Sequence, residues 1–281
     1  MRRLQMVVLA LVATAMVARG QATAPDTVVV HSGSITLRAL VWRPSGRGRF
    51  PAILINHGRG RTPEQLAQRG PYENQAEALG PEFARHGYVA FFLFRRGVGL
   101  SADQGESAVN LMNREADANG QDARNVLQLR LLDRDLADAE SGLAVLRTLP
   151  GVDSRRIAIV GHSFGASLSI LQAAREPGVR AVVLFSTAGY GWDRSPPLRA
   201  RLLDAVPQVR APLFIIHAEN DYTLNPGKDL DARLTTLGMP HRLRIYPPIG
   251  KTPDDGHDFP LSGVSIWSPE VFAFLDEHTR R

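Results

Sequence analysis

Five stretches of the 281-residue chain are apolar at nearly every position instead of at alternate ones. They are FPAILINHG (50–58), YVAFFLF (88–94), RIAIV (156–160), VRAVVLFS (179–186) and APLFIIHA (211–218). Each has the length of a strand, and a strand without a polar face is one buried on both sides. Helical segments separate them. One is EALGPEFARHG, stopped by Gly87; another is the stretch from Ala123 to Leu149, where Val126, Leu129, Leu132, Leu136, Leu143 and Leu146 recur at mostly helical spacing before Pro150-Gly151. Buried strands alternating with helices predict an α/β fold, a mostly parallel twisted sheet with helices on both faces.

Toward the ends the pattern loosens. TVVVHSGSITLRALVWRP reads as a hairpin turning at His31-Ser32-Gly33-Ser34, and HRLRIYPP as a shorter strand. SPEVFAFLDEH predicts a terminal helix with Ser268 as N-cap and Pro269 in its first position. With no repeat, low-complexity tract or linker in between, residues 25–281 are expected to form one domain. Residues 1–24 are set apart: Arg2 and Arg3 precede an apolar run from Leu4 to Ala18, and small residues follow (Gly20, Ala22, Ala24). That is the layout of a secretory signal peptide cleaved between 20 and 24. The run is shorter than the ~20 apolar residues that span a bilayer, so export to a periplasm or medium is expected, without a stable membrane anchor.

Removing Arg2, Arg3 and Arg19 leaves 30 of the 33 basic residues against 28 acidic ones, so the formal charge falls from +5 to +2. A nucleic-acid partner has little support from such a balance. The absence of cysteine excludes a cysteine nucleophile, a disulfide framework and thiolate metal sites. No H-E-x-x-H or comparable cluster occurs, and neither a metal nor another cofactor is expected. Oligomeric state leaves no mark in the sequence.

Gly161-His162-Ser163-Phe164-Gly165 lies directly between the strand IAIV and a helix beginning near Ala166. This is the context of a nucleophile elbow, in which glycines allow a sharp turn that holds a serine exposed above a helix N-terminus. The same glycines also suit a plain strand-to-helix turn. A serine needs a base to take its proton and a carboxylate to orient that base, and in this fold class they follow in the order acid, then histidine. The segment ENDYTLNP directly follows the strand LFIIHA and offers Asp221; Glu219 is one register step closer to the sheet, and Asp193 and Asp204 are displaced from any strand end. His257 lies in the loop GKTPDDGHDF. Of the other histidines, His57 and His162 precede or adjoin the serine, His217 is inside a strand, and His31, His86, His241 and His278 are early or peripheral. The oxyanion donors expected are the backbone N–H of Phe164 and that of Arg59 in NHGRG, with Gly58 as the alternative.

The series INHG, FRRGVGLSADQG, LPGVDSRRIAIVGHSFGA, HAENDYTLNP and DDGHDF resembles the α/β-hydrolases over almost the whole mature chain, in particular their dienelactone-hydrolase-like and prolyl-oligopeptidase-like branches. The resemblance implies acyl transfer to water, with Ser163 attacking a carbonyl, His257 relaying the proton and Asp221 holding the imidazolium. Two departures narrow it. Dienelactone hydrolases proper use a cysteine where Ser163 stands. A propeller domain typically precedes the hydrolase in the second branch, and only a few residues separate the leader from the first strand here, so a size-selective peptidase is not expected.

The leading expectation is thus an exported serine carboxylesterase acting on a small-molecule ester. A serine aminopeptidase or amidase on short peptides, and a non-catalytic binding protein on the same fold, are the alternatives. Three stretches are expected to shape the pocket: 58–75, 95–121 and 186–206. Tyr190, Trp192 and Tyr222 are candidate walls, and Arg59, Arg61, Arg95 and Arg96 could favour an anionic substrate, although Arg96 resembles an arginine common in this superfamily for structural reasons. The segment 97–121 reads equally as a lid, a dimer contact or a disordered loop.

Overall fold

A computed structural model describes residues 24–59 and 62–280. The expected leader, apart from Ala24, therefore lies outside the described residues, as does Arg61. The strands are β1 (Asp26–Ser32), β2 (Ile35–Trp42), β3 (Phe50–Asn56), β4 (Val89–Phe94), β5 (Val152–His162), β6 (Ala181–Phe185), β7 (Leu213–Ala218) and β8 (His241–Tyr246). They form one sheet in the order β1-β2-β4-β3-β5-β6-β7-β8. The hairpin β1–β2 turns at Gly33 (φ 59) and joins β4 antiparallel, whereas every pair from β4 to β8 is parallel.

The continuous apolar runs divide their side chains between two cores by the two-residue repeat of a strand. Ala52 and Leu54 of β3, with Val89, Phe91 and Leu93 of β4, point to one face; Ile53 and Ile55, with Ala90, Phe92 and Phe94, point to the other. The first face is covered by α3 (Ala108–Thr148), α4 (Phe164–Arg175), α6 (Pro196–Ala205) and α7 (Asn225–Thr236). The second is covered by α2 (Glu73–Arg85) and α10 (Val264–Thr279). Each large apolar side chain buried there contributes about 1.5–3 kcal/mol.

Short helices lie between these: α1 (Pro63–Arg69), α5 (Gly191–Arg194), α8 (Pro253–His257) and α9 (Phe259–Ser262). β3 is flanked by β4 and β5, and the chain leaves β3 toward β4 but β5 toward β6. The carboxyl ends of β3 and β5 thus open a crevice where the winding direction reverses, which is where open parallel sheets bind ligands.

Three elements differ from expectation. The long helix α3 starts at Ala108, capped by the Ser107 side chain, and is broken at Gly120 (φ 83, ψ 179). Ala108 and Met112 before the break pack with Leu131 after it, so much of segment 97–121 is folded helix held by its own apolar contacts. The terminal helix α10 begins at Val264 behind Gly263, so Ser268 is not its cap and Pro269 lies inside it. Trp267, fully buried and donating its indole N–H to the Pro260 carbonyl (3.0 Å), anchors the extra turn, although Pro269, sixth in the helix, cannot donate to the Ser265 carbonyl. Thirdly, α1 forms within a stretch expected only to shape the pocket; Thr62 and Gln65 make a reciprocal cap, and none of its residues is buried.

Candidate active site

Ser163 sits between β5 and α4 with φ 55 and ψ −120, a conformation that costs a non-glycine residue on the order of 1–3 kcal/mol. Its neighbours explain the glycines. A Cβ on Gly165 would collide with the Asn56 and His57 carbonyls, and one on Gly161 with Ser169 and Ala166. The turn is pinned by Ser163 N–H donating to the Phe185 carbonyl (2.9 Å) and by Ala188 N–H donating to the Ser163 carbonyl (3.0 Å).

The Ser163 hydroxyl lies 2.9 Å from His257 Nε2, and His257 Nδ1 lies 2.7 Å from Asp221 Oδ1. The structure therefore brings together the serine, histidine and acid picked from chain order, from β5, α8 and the turn after β7. Asp221 Oδ1 also accepts the Tyr222 backbone N–H (2.7 Å), and Oδ2 faces Nδ1 of His217 (2.8 Å). Burial alone would raise the Asp221 pKa, but the hydrogen bonds from His217 and His257 outweigh it and hold the carboxyl well below the usual range. The carboxylate is thus held between two imidazoles. His217 lies in β7 as expected, but its ring reaches the acid four residues on. Its other nitrogen is buried without a partner, which places the proton on Nδ1, where it is donated to Asp221.

His257 is also held through its backbone. Its carbonyl accepts from His162 Nε2 (2.9 Å) and from the Ser186 hydroxyl (3.0 Å). Burial, reinforced by the neighbouring His257, pushes the His162 pKa down to about 4, so His162 is a neutral donor at physiological pH. Thus the residue between Gly161 and Ser163 positions the histidine loop.

Opposite the serine, the loop after β3 is clamped by Arg95. Its guanidinium donates to the carbonyls of His57 (2.9 Å) and Gly58 (2.8 Å), lies 3.6 Å from Asp135, and is 5.5 Å from the centre of the Phe164 ring. In a trans peptide the N–H points opposite the carbonyl. Fixing the Gly58 carbonyl toward Arg95 therefore turns the Arg59 N–H away from it. The Phe164 N–H, first in α4, has no acceptor within its own helix. Gly58, Arg59 and Phe164 all border the pocket that contains Ser163 and His257, about 160 Å³ in volume.

Other expected pocket residues are placed differently from one another. Tyr190 and Tyr222 border the pocket and stack, with ring centres 4.1 Å apart, and Tyr222 stacks in turn on His257 at 4.1 Å. Trp192 does not line the pocket: it is fully buried and donates its indole N–H to Asp229 (2.8 Å), because its bulk fills the core beneath α5. Arg96 does not line it either, being bound through two nitrogens to buried Asp138 (2.8 and 2.5 Å). Arg95 is likewise committed to the β3 loop. The arginines that border the pocket are Arg59, Arg69, Arg124 and Arg194, of which only Arg59 was singled out in the sequence. Arg124 on α3 and Arg194 on α5 could be found only once these elements were folded beside β5. Among the described residues, no group of three or more His, Cys, Asp or Glu side chains could hold a metal ion.

A family model described as the dienelactone hydrolase family matches residues 37–253. Among solved structures, Pyrococcus horikoshii acylaminoacyl peptidase is 18% identical with a TM-score of 0.62, covering 93% of this chain and 42% of that one. Porphyromonas gingivalis dipeptidyl peptidase 4 is 19% identical with a TM-score of 0.61, covering 90% of this chain and 35% of that one. This chain thus spans well under half the length of those peptidases. A dienelactone hydrolase from Anabaena variabilis is 19% identical with a TM-score of 0.57, covering 90% of this chain and 98% of that one. At such identities the structural likeness speaks for the fold alone.

Proposed function

The chain belongs to the dienelactone hydrolase family, and on that premise we propose that it is an exported serine hydrolase that cleaves small carboxylic esters through an acyl-enzyme. The observation that carries this reading is the unbroken line from Ser163 Oγ through His257 to Asp221, with contacts of 2.9 and 2.7 Å, at the mouth of a pocket. His257 takes the hydroxyl proton as Ser163 attacks the ester carbonyl, and Asp221 stabilises the imidazolium that forms. The N–H groups of Phe164 and Arg59 receive the oxyanion. Collapse of the tetrahedral intermediate releases the alcohol, which takes the proton from His257; water then attacks the acyl-serine by the same steps.

Ester rather than aminopeptidase chemistry is favoured by the charges around the serine. An aminopeptidase substrate carries an ammonium group near the scissile bond. Here the bordering acidic side chain outside the relay, Asp258, is paired with Arg69 at 2.9 Å, and Arg59, Arg124 and Arg194 would repel a cation. Export rests on Arg2, Arg3 and the apolar run Leu4 to Ala18.

Initial rates on a short-chain p-nitrophenyl ester, a long-chain one and an amino-acid p-nitroanilide test the reading. The short ester should be the best substrate, and Ser163→Ala should lose on the order of 10⁶-fold in turnover. Equal activity of the variant would remove Ser163 from the mechanism, and a preference for the anilide would favour the amidase. Export predicts that protein expressed from the full chain leaves the cytoplasm with an N-terminus between residues 20 and 25, as read by mass spectrometry.

A further inference from the structure

Three guanidinium groups reach the pocket beside Ser163 from separate elements: Arg59 from the loop after β3, Arg124 from α3 and Arg194 from α5. Among the described residues, none of them has a carboxylate within ion-pair distance. Their contacts are of other kinds: Arg194 lies 4.6 Å from the centre of the Tyr190 ring, and Arg124 reaches the Asn125 side-chain oxygen at 3.5 Å. The fourth bordering arginine, Arg69, is by contrast neutralised by Asp254 and Asp258 at 2.5 and 2.9 Å. Burial works against the charge on Arg59 and on Arg124, and the nearby Arg194 adds to that for each. Gathering like charges in a partly enclosed space is unfavourable unless an anion joins them.

A second observation comes from Gln128, one helical turn beyond Arg124 on the same face of α3. It borders the pocket, is 4% exposed, and its side-chain oxygen has no hydrogen-bond partner. A buried acceptor left unpartnered at a pocket wall is a group awaiting a donor from a ligand, such as a hydroxyl or a protonated phosphate oxygen, and the NH₂ of the same amide is a donor for an oxyanion.

We propose that Arg59, Arg124 and Arg194, with Gln128, form a subsite for a dianionic group, a phosphate monoester, carried on the non-reacting end of the ester substrate. A single carboxylate would balance one of three guanidiniums, whereas a phosphate monoester carries nearly two charges at neutral pH and three acceptor oxygens. The position suits a remote group: the rings of Tyr222 and Tyr190 stack between His257 and Arg194, so an anion held at Arg194 lies two aromatic layers from the relay. This inference rests on the serine hydrolase reading for the part played by Ser163, and its test is separable from it.

Aryl esters whose acyl chains have equal length and end in methyl, carboxylate or phosphate provide the comparison. The phosphate ester should exceed the methyl ester in kcat/KM by about 10–100-fold, the range expected of one or two hydrogen bonds to a charged group. The carboxylate ester should fall between them, and the advantage should shrink as salt screens the charges. In the double variant Arg124→Gln/Arg194→Gln the phosphate-to-methyl ratio should drop toward one. Independently, phenyl phosphate should bind Ser163→Ala in a calorimeter and lose that binding in Ser163→Ala carrying Arg194→Gln. Equal turnover of the three esters with no binding of phenyl phosphate would overturn the subsite while leaving the hydrolase reading intact. A carboxylate ester as good as the phosphate ester would overturn the dianion. Binding of phenyl phosphate without cleavage of any ester would support the subsite and count against ester hydrolysis.

Discussion

Asp221 illustrates how much a single side chain depends on what surrounds it. A buried carboxylate with one partner would be poorly held, but this one receives hydrogen bonds from His257, from His217 and from the Tyr222 amide. Replacing His217 by Phe leaves Oδ2 buried without a donor. The expected result is a stability loss of about 1.5–3 kcal/mol in urea unfolding and a fall in kcat of about tenfold, well short of the ~10⁴-fold that a misoriented base can cost. His217→Asn keeps a donor and should recover part of both; an unchanged kcat for His217→Phe would show that His257 alone fixes the acid. From the sequence Asp221 was legible because it lies in the loop that follows a buried strand, three residues past Ala218. His217 was not, since only the bend of the turn brings its ring back onto a carboxylate four residues ahead.

At the scale of elements, the strand–turn–helix from β5 to α4 was readable because part of its constraint is local. Gly161 is demanded by Ser169 and Ala166, atoms that the turn itself brings close, whereas Gly165 is demanded by the Asn56 and His57 carbonyls at the end of β3. Gly165→Ala pushes a methyl against the carbonyls of Asn56 and His57, and should cost about 1–3 kcal/mol and lower kcat by displacing the β3 loop; a melting temperature equal to wild type would contradict that packing. The loop opposite gives a second expectation. Arg95→Met removes the clamp on the His57 and Gly58 carbonyls. It should reduce kcat by about 10²-fold, the scale of one lost oxyanion donor, with a smaller change in KM. Steady-state kinetics on a neutral ester would show this, and a loss confined to KM would argue against oxyanion positioning. The starts of α3 and α10 were less legible. Both are decided by partners beyond the local turn: Met112 finds Leu131, and Trp267 finds the rings of Phe83 and Phe185. Local propensity does not carry such information.

The whole molecule responds to acid through groups that the fold buries. His162 has a folded pKa near 4 against about 6.5 for an unfolded histidine. Between those values the unfolded chain binds the proton and the native state resists it, so stability falls as pH drops from about 6.5 to about 4. Asp221 acts lower down: its depressed pKa supports the fold above the unfolded value of about 3.9 and that support is lost as pH falls further. Chemical denaturation across this range should show the decline, and His162→Gln, which keeps a donor without a titrating ring, should flatten the upper part. A slope unchanged in that variant would assign the decline to other groups.

The sequence by itself determined the parallel sheet and the order in which serine, acid and histidine appear. Continuous apolar runs can be satisfied only by burial on both faces, and a chain wound through such a sheet delivers its loops to one edge. Which side chains meet at that edge was decided by tertiary structure. Four arginines near the serine look alike in sequence, yet folding gives Arg95 to two carbonyls and Arg96 to Asp138, while bringing Arg124 and Arg194 to the pocket from segments far away along the chain. Charge pairing depends on distances of a few ångströms in three dimensions, and those distances exist only after the elements have packed.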